Sequence, residues 1–245
     1  MLAAHPGSVV SNTTGSHADL TQLWYFVTTT ASSLGYGDLI PSGLPWTLFA
    51  TATTLITTIV LTISLSYVIS VISAAIKRRS MASSVRALGG SPSELVRHAQ
   101  LGDPGHSMHT HLTAVASAVS EAAEQQLAYP VLRYFHSARR EVAPAPAVLL
   151  LHDAVFLLEQ LPPEHRVSPG LSAVLRSAVD AYAGAKSIGK AEEGSGPGAA
   201  ERLRAEAGNL GIDADAGFEA ALTVHLDERG RLVAACADDG WPAVP

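Results

Sequence analysis

A run of 38 residues without aspartate, glutamate, lysine or arginine, residues 39–76, constrains this chain more than any other feature. Its last 33 residues, from Leu44 to Ile76, contain no glycine and a proline only at Pro45. As a helix they extend about 50 Å, whereas a membrane core about 30 Å thick needs about 20 apolar residues. The run begins too far from Met1, and is too long, for a secretory signal peptide. It therefore predicts a transmembrane helix.

The distribution of charge predicts the orientation of that helix. All 16 lysine and arginine residues occur from Lys77 onward, starting with a cluster of three directly after the apolar run. Residues 1–76 contain only two acids, Asp19 and Asp38. Because basic residues are retained on the cytoplasmic side of a membrane, we expect residues 1–43 outside the cell and the rest in the cytosol. The predicted location is the plasma membrane.

The predicted cytosolic part is acidic overall. From Lys77 onward, 16 basic residues stand against 20 acids, which gives a formal charge of −4 and argues against binding of nucleic acid. The single cysteine, Cys236, excludes an internal disulfide and suits a reducing compartment.

A glycine-rich stretch, SLGYGD at residues 33–38, lies just ahead of the membrane helix. The residues before it, 19–32, predict a helix of about three turns, which is too short to span a membrane. At membrane depth, irregular backbone is tolerated only where it lines a water-filled passage. Gly35 and Gly37 can adopt left-handed dihedrals, and alternating them with ordinary residues turns successive carbonyl oxygens to one side. Such carbonyls can replace the water around a dehydrated cation.

Ser33-Leu34-Gly35-Tyr36-Gly37-Asp38 resembles the potassium-channel selectivity filter, whose usual form is Thr-Val-Gly-Tyr-Gly-Asp. Residues 19–79 as a whole resemble the pore helix, filter and inner helix of the two-transmembrane, voltage-independent potassium channels. The resemblance implies that the Ser33 hydroxyl and four carbonyls bind potassium, those of Ser33, Leu34, Gly35 and Tyr36. It places Gly37 at the outer end of the filter and Asp38 at the outer mouth. It also implies a homotetramer in lipid, with potassium as the permeant ion and no cofactor.

The sequence departs from the family in three places. Ser33 keeps the hydroxyl of threonine but lacks its methyl, and Leu34 replaces a smaller β-branched residue. The family has an outer transmembrane helix before the pore helix. The first 20 residues here contain no apolar run long enough to span a membrane. Those residues read like the loop that follows such a helix. We expect a truncated gene model rather than a natural fragment that fails to assemble.

The aromatic residues before the filter, Trp24, Tyr25 and Phe26, are expected to pack around Tyr36 and brace it. On the inner helix, five threonines spaced by 4, 3, 4 and 4 residues share an arc of roughly 80° at 100° per residue. This stripe predicts the wall of a hydrated cavity below the filter. The alternative is that these hydroxyls bond to carbonyls of their own helix. The predicted cavity-lining residues are Thr51, Thr54, Thr58 and Thr62, which follow Thr47.

Beyond the membrane helix the periodicity is helical. Ser91, Pro92 and Glu94 form the pattern of a capping box at a helix start. Residues 222–236 favour a helix, with a hairpin turning at Gly230 as the alternative. The predicted fold class is an all-α membrane protein with a re-entrant pore helix, one inner helix and a cytosolic helical domain. Its segments are a loop (1–18), pore helix and filter (19–43), inner helix (44–79), cytosolic domain (80–188), linker (189–200) and C-terminal helices (201–245).

The sequence gives only weak evidence for a metal site, a nucleotide site or a catalytic site. His106, His109 and His111 lie in a segment without nearby cysteine, so we interpret them as solvated rather than metal-binding. No Gly-x-Gly-x-x-Gly follows a strand, and no motif arranges a catalytic nucleophile, so neither a nucleotide-sensing Rossmann domain nor an enzyme is predicted. The leading hypothesis is the pore-forming subunit of a potassium channel; the rival is a membrane-tethered signalling or scaffold domain with a non-conducting pore remnant. A cytosolic ligand is not predictable from these patterns.

Overall fold

The computed structural model describes residues 5, 7–101, 107–186 and 198–241. The chain divides into two compact units, Met1–Ser70 and Val71–Pro245. Within the described residues the protein is predominantly helical, with eight α-helices and two strands of three residues each. It is an all-α membrane protein, as the sequence predicts.

The first unit contains a short helix held by a small antiparallel pair of strands. Strand β1 (Val9–Ser11) pairs with β2 (Leu39–Pro41), and between them lies helix α1 (Leu20–Ala31). A capping box starts α1: the Asp19 carboxylate accepts a hydrogen bond from the Gln22 backbone, and the Gln22 side chain accepts one from the Asp19 backbone. The predicted short helix is thus confirmed, but residues 9–11, expected in a loop, form a strand.

Helix α2 (Leu44–Leu88) carries the apolar run. It has 45 residues, and its most apolar window of 18 residues has a mean hydropathy of 2.3 with 11% of that window buried. Among the described residues it is the helix that is long and apolar enough to cross a membrane. It continues past residue 79, its predicted end, because nothing breaks it before Gly89 and because Met81, Ala82 and Val85 are buried in the second unit.

The second unit is built around helix α5 (Pro144–Gln160), in which 14 of the 17 residues are buried. Such all-round burial marks a helix at the centre of a domain. It packs against α3 (Pro92–Leu101), α6 (Pro169–Lys186) and α8 (Ala216–Asp238), while α4 (Ser107–Ala128) packs along α6. A further helix, α7 (Ala199–Gly208), packs against α3 and α8.

The predicted start of α3 and the predicted helix at residues 222–236 both lie in this unit. Residues 222–236 are helical within α8, so the helix rather than the hairpin is confirmed. The predicted linker overlaps α7, which begins at Ala199; the other linker positions up to residue 197 lie outside the described residues, as does His106. The start of α3 departs slightly from a capping box. Ser91 Oγ accepts from the Glu94 backbone, as expected, but the Glu94 carboxylate bonds to the backbone of Gly90.

Candidate ion-conduction site

The glycine-rich stretch is tied directly to the end of α1. The Thr29 carbonyl accepts hydrogen bonds from the backbone N–H groups of Leu34, at 2.9 Å, and Gly35, at 3.3 Å. The Ser33 N–H donates to the Thr30 carbonyl at 3.1 Å. These bonds use carbonyls that a helix end leaves without an intrahelical partner, so the chain turns out of α1 without losing hydrogen bonds.

Left-handed dihedrals alternate along the stretch. Gly35 has φ +50° and Gly37 has φ +79°, as the sequence predicts. Ser33 has φ +60° and, among the described residues, is the one non-glycine with a positive φ. Sequence reasoning did not assign this conformation to Ser33, although its two-residue spacing from Gly35 was a usable signal. Left-handed φ values therefore occur at every second residue from Ser33 to Gly37.

The Ser33 end of the stretch lies near two of the predicted cavity residues of α2. The hydroxyls of Ser33 and Thr58 lie 3.3 Å apart. The Thr54 hydroxyl lies 3.4 Å from the Thr30 carbonyl and also bonds to its own helix at the Ala50 carbonyl. The structure thus brings Thr54 and Thr58 close to the predicted filter and the end of α1.

The hydroxyls of the other two predicted cavity residues bond to carbonyls of their own helix, which is the alternative interpretation of the threonine stripe. Thr51 and Thr62 donate to the carbonyls of Thr47 and Thr58, four residues earlier, at 2.9 Å and 2.8 Å. Their side chains are exposed in the single chain. Hydroxyls bonded in this way remain available to accept a hydrogen bond from water, so their geometry is compatible with either interpretation.

The Gly37 end of the stretch is held by Asn12, a residue that sequence reasoning missed. The Asn12 side-chain amide donates to the Gly37 carbonyl at 3.1 Å, and the Asn12 backbone N–H donates to the Asp38 carbonyl at 2.9 Å. Asn12 directly follows β1, which pairs with β2 immediately after the stretch. No local motif around Asn12 signals this contact, because its partner is 25 residues away.

The aromatic bracing of Tyr36 involves one ring rather than three. Tyr25 stacks on Tyr36 with ring centroids 6.3 Å apart and planes 6° apart, and its side chain also interacts with Asp38. Phe26 instead packs in a buried cluster with Val9, and Trp24 is 66% exposed. Within the single chain the expected packing on Tyr36 is therefore seen for Tyr25 and not for these two residues, because successive helix positions point about 100° apart. Leu34 and Tyr36 are 60% and 67% exposed in the single chain.

A second group of polar side chains lies buried in the other unit. Asp153 of α5 accepts a hydrogen bond from His225 at 2.9 Å and two-point contacts from Arg229, both on α8. Burial opposes the charge of Asp153, but the hydrogen bonds from His225 and Arg229 hold its pKa below the ordinary value. The ring of His152 stacks on His225 at 4.2 Å. Burial, together with His225, lowers the pKa of His152 to about 3.

His152, Asp153 and His225 have ligand atoms within 4.8 Å of one another, close enough for a metal ion. Arg229, however, already occupies the Asp153 carboxylate, and a divalent cation there would meet the guanidinium charge. The arrangement fits a buried ion pair that joins α5 to α8. It is a structural feature of the helical unit.

Comparison with known proteins gives a family match in the N-terminal part of the chain. Residues 4–74 match the family model described as Ion channel. This part of the chain is therefore similar to ion-channel proteins.

One relative extends beyond that segment. The chain is 31% identical over 162 residues to the uncharacterized membrane protein YdjJ of Bacillus subtilis (strain 168), over 66% of this chain and 48% of the relative. The chain thus spans about half the length of the curated relative that it matches. No solved structure matches the chain.

Proposed function

We propose that this chain is the pore-forming subunit of a potassium-selective, voltage-independent ion channel. The observation that carries the proposal is the alternation of left-handed φ at Ser33, Gly35 and Gly37, between a short helix and a membrane helix. Successive carbonyls turned to one side suit coordination of a dehydrated cation. One chain supplies one side of such a ring, so four copies arranged around a central axis complete it.

Each position in the stretch has a proposed role. The carbonyls of Ser33, Leu34, Gly35 and Tyr36 bind potassium ions, and the Ser33 hydroxyl adds the innermost ligand. Gly37 ends the filter, because its carbonyl already accepts the Asn12 amide. Asp38 lies at the outer mouth. The exposure of Leu34 and Tyr36 in one chain is consistent with their being covered by neighbouring copies.

The inner helix supplies the proposed cavity. Thr58 lies beside Ser33, so its hydroxyl is the first polar group below the filter. The remaining proposed wall residues are Thr51, Thr54 and Thr62. In the plasma membrane we place residues 1–43 outside, because the first basic cluster, Lys77–Arg79, follows the apolar run. The helical unit is then cytosolic.

The proposal is tested by reconstituting the full-length gene product in planar bilayers under potassium and sodium gradients. We expect the reversal potential to follow the potassium gradient and to be nearly insensitive to sodium. A current whose reversal ignores potassium contradicts the proposal. A protein that inserts but carries no current supports the rival function, a membrane-tethered helical scaffold, which the separate core of the second unit makes physically reasonable.

A further inference from the structure

A short stretch of the second unit exposes large apolar side chains. It runs from the last turn of α4 through a 3-10 helix, Pro130–Tyr134, and we call residues 127–135 the exposed segment. Leu127, Tyr134 and Phe135 are 62%, 76% and 45% exposed. Large apolar side chains that cluster on a surface mark a contact with a protein or a membrane.

Packing holds the exposed segment against helix α2. Leu132 is fully buried in a cluster with Val71 and Ala74 of α2. Tyr129 and Val131 pack against the same cluster. The exposed segment therefore lies beside the part of α2 that begins at Val71.

A buried hydrogen bond joins the exposed segment to the next turn of α2. Arg78, which is 3% exposed, donates from Nη1 to the Leu132 carbonyl at 3.0 Å. The same carbonyl accepts a hydrogen bond from the backbone N–H of Phe135 at 3.1 Å. The backbone of Phe135 is thus held close to the side chain of Arg78, which follows the end of the apolar run at Ile76.

The position along α2 indicates a depth in the membrane. Residues 44–76 extend about 50 Å as a helix, and a bilayer with its headgroup regions is about 40–45 Å thick. With a modest tilt the run crosses the whole bilayer and ends among the headgroups of one leaflet. Ile72 and Ile76, which are 50% and 61% exposed, continue the apolar surface of α2 to that level. The exposed segment packs beside residues 71–78 and lies at the same level.

The residues around the exposed segment are basic. Residues 77–79 and 121–141 together contain six basic residues and three acids. The whole part of the chain that follows the apolar run has the opposite sign, with a formal charge of −4. One of the three acids, Glu121, is paired with Lys77. A basic region next to the end of a membrane helix attracts anionic lipid headgroups.

We propose that the exposed segment lies in the headgroup region of the leaflet at the basic end of α2 and binds the bilayer surface. Its exposed apolar side chains face the boundary between headgroups and acyl chains, where the amphipathic ring of a tyrosine such as Tyr134 is favoured. Arg133 and Arg139, both exposed, contact anionic headgroups. The helical unit is therefore bound to the membrane at a second point besides α2.

A second copy of the chain fits this surface less well. Copies arranged around an axis along the membrane normal present the same level of the chain to one another, so their basic regions meet. Like charges that face each other across an interface are unfavourable. The proposal requires only that α2 spans the membrane, and it does not depend on ion conduction.

The test measures the depth of a spin label in the full-length protein, reconstituted in nanodiscs of phosphatidylcholine and phosphatidylglycerol. Tyr134→Cys and Leu127→Cys are labelled separately, and the wild type treated in parallel gives the background from Cys236, which is buried. Val224→Cys is the matched control, because Val224 of α8 is 60% exposed and lies outside the exposed segment. Each label is relaxed with oxygen, which concentrates in lipid, and with a water-soluble nickel chelate.

We expect the ratio of oxygen to nickel accessibility to be at least about threefold higher at positions 127 and 134 than at position 224, since interfacial segments lie partly within the acyl boundary. Ratios as low as that of position 224 mean that the segment faces water, and they overturn the proposal. Labels that are shielded from both reagents, in detergent as well as in nanodiscs, mean that another copy of the chain covers the segment. That result also overturns the proposal. The measurement does not use current, so neither result bears on the proposed channel function.

The contribution of the arginines is measured by varying the lipid. We expect the accessibility ratio at position 134 to be higher in nanodiscs with phosphatidylglycerol than in phosphatidylcholine alone. Arg133→Gln combined with Arg139→Gln is expected to remove this difference. Arg231→Gln, which changes an exposed arginine of α8, is the control and should retain it. An equal lipid effect in the double variant and in Arg231→Gln contradicts the proposed contact with anionic headgroups.

Discussion

The side-chain amide of Asn12 donates a hydrogen bond to the Gly37 carbonyl at 3.1 Å, across 25 residues of sequence. The adjacent pairing of Ser11 with Leu39 continues the same connection as an antiparallel strand pair. The N-terminal segment therefore supports the outer end of the GYGD stretch from one side, while α1 and Tyr25 support it from the other. Hydrogen bonds therefore hold both ends of the stretch in place.

This contact predicts that Asn12→Ala destabilises the outer end of the filter. A typical net hydrogen bond contributes about 0.5–1.5 kcal/mol, and the proposed tetramer loses it four times. We expect potassium currents in planar bilayers to decline faster during steady recording, with insertion unchanged. Thr13→Ala in the same turn is the control. Currents of Asn12→Ala that persist like those of Thr13→Ala contradict a supporting role for Asn12.

Replacing Gly37 by alanine tests the backbone conformation of the filter. Its φ of +79° costs a residue with a Cβ about 1–2 kcal/mol. We expect Gly37→Ala to abolish potassium-selective current while the protein still inserts into membranes. Gly15→Ala is the control, since Gly15 has φ +66° and open space around its Cβ position but lies in the N-terminal turn. Unchanged selectivity in Gly37→Ala, measured as the reversal potential, would falsify the filter assignment.

Ser33 is predicted to supply the innermost ion ligand through its hydroxyl. Ser33→Ala removes the hydroxyl but keeps the Cβ at φ +60°, whereas Ser33→Gly removes both and relieves the backbone strain. We expect both variants to weaken block by barium applied from the cytosolic side, because that ion reports occupancy of the inner site. Ser32→Ala, which alters a neighbouring hydroxyl bonded to Thr29, is the control. Barium block of wild-type strength in both Ser33 variants means that Ser33 does not face the ion.

The buried Asp153–Arg229 pair is predicted to hold α5 and α8 together. Asp153→Ala removes the carboxylate that Arg229 and His225 contact, and breaking a buried ion pair typically costs about 3–5 kcal/mol. The exposed pair between Arg204 and Glu219 is the matched control, and Glu219→Ala should leave the stability nearly unchanged because solvent screens an exposed pair. The measurement is denaturant unfolding of the helical signal in detergent. A similar decrease in the free energy of unfolding in the two variants contradicts the role assigned to the Asp153–Arg229 pair.

Acidification is predicted to destabilise the helical unit through His152. Its folded pKa of about 3 lies below the unfolded value of about 6.5. The unfolded state therefore binds the extra proton between these values, and stability falls as the pH falls below about 6.5. At pH 5 the loss reaches about 2 kcal/mol, at 1.36 kcal/mol per pH unit.

The pH measurement compares the Tm of the wild type with that of His152→Phe between pH 7.5 and pH 5. The groups that act on His152 are His225, Asp153, Arg229 and Arg176, and all remain in the variant. Asp153 contributes only at lower pH, since its pKa is below the ordinary value and its stabilisation is lost as the pH falls toward that pKa. We expect a flatter profile in the variant. If the Tm falls with pH equally steeply in the wild type and in His152→Phe, a group other than His152 controls the acid sensitivity.

The sequence by itself determined the features that depend on neighbouring residues. The absence of charge from residues 39–76 was enough to predict the membrane helix, because length and hydropathy decide that question locally. The spacing of Gly35 and Gly37 predicted their left-handed dihedrals, because only a residue without a Cβ adopts them at little cost. The start of α3 at Pro92 and the helix over residues 222–236 also followed from local patterns.

Only the tertiary structure decided which distant residues meet. Asn12 reaches Gly37 because β1 pairs with β2, and Asp153 meets Arg229 because α5 packs on α8 across 76 residues of sequence. Leu132 and Val71 lie on separate elements and pack in one cluster only after those elements fold together. No local pattern predicts these contacts, because they depend on how the apolar faces of distant elements pack together in the core. The extension of α2 to Leu88 has the same cause, because its last turns are buried in that core.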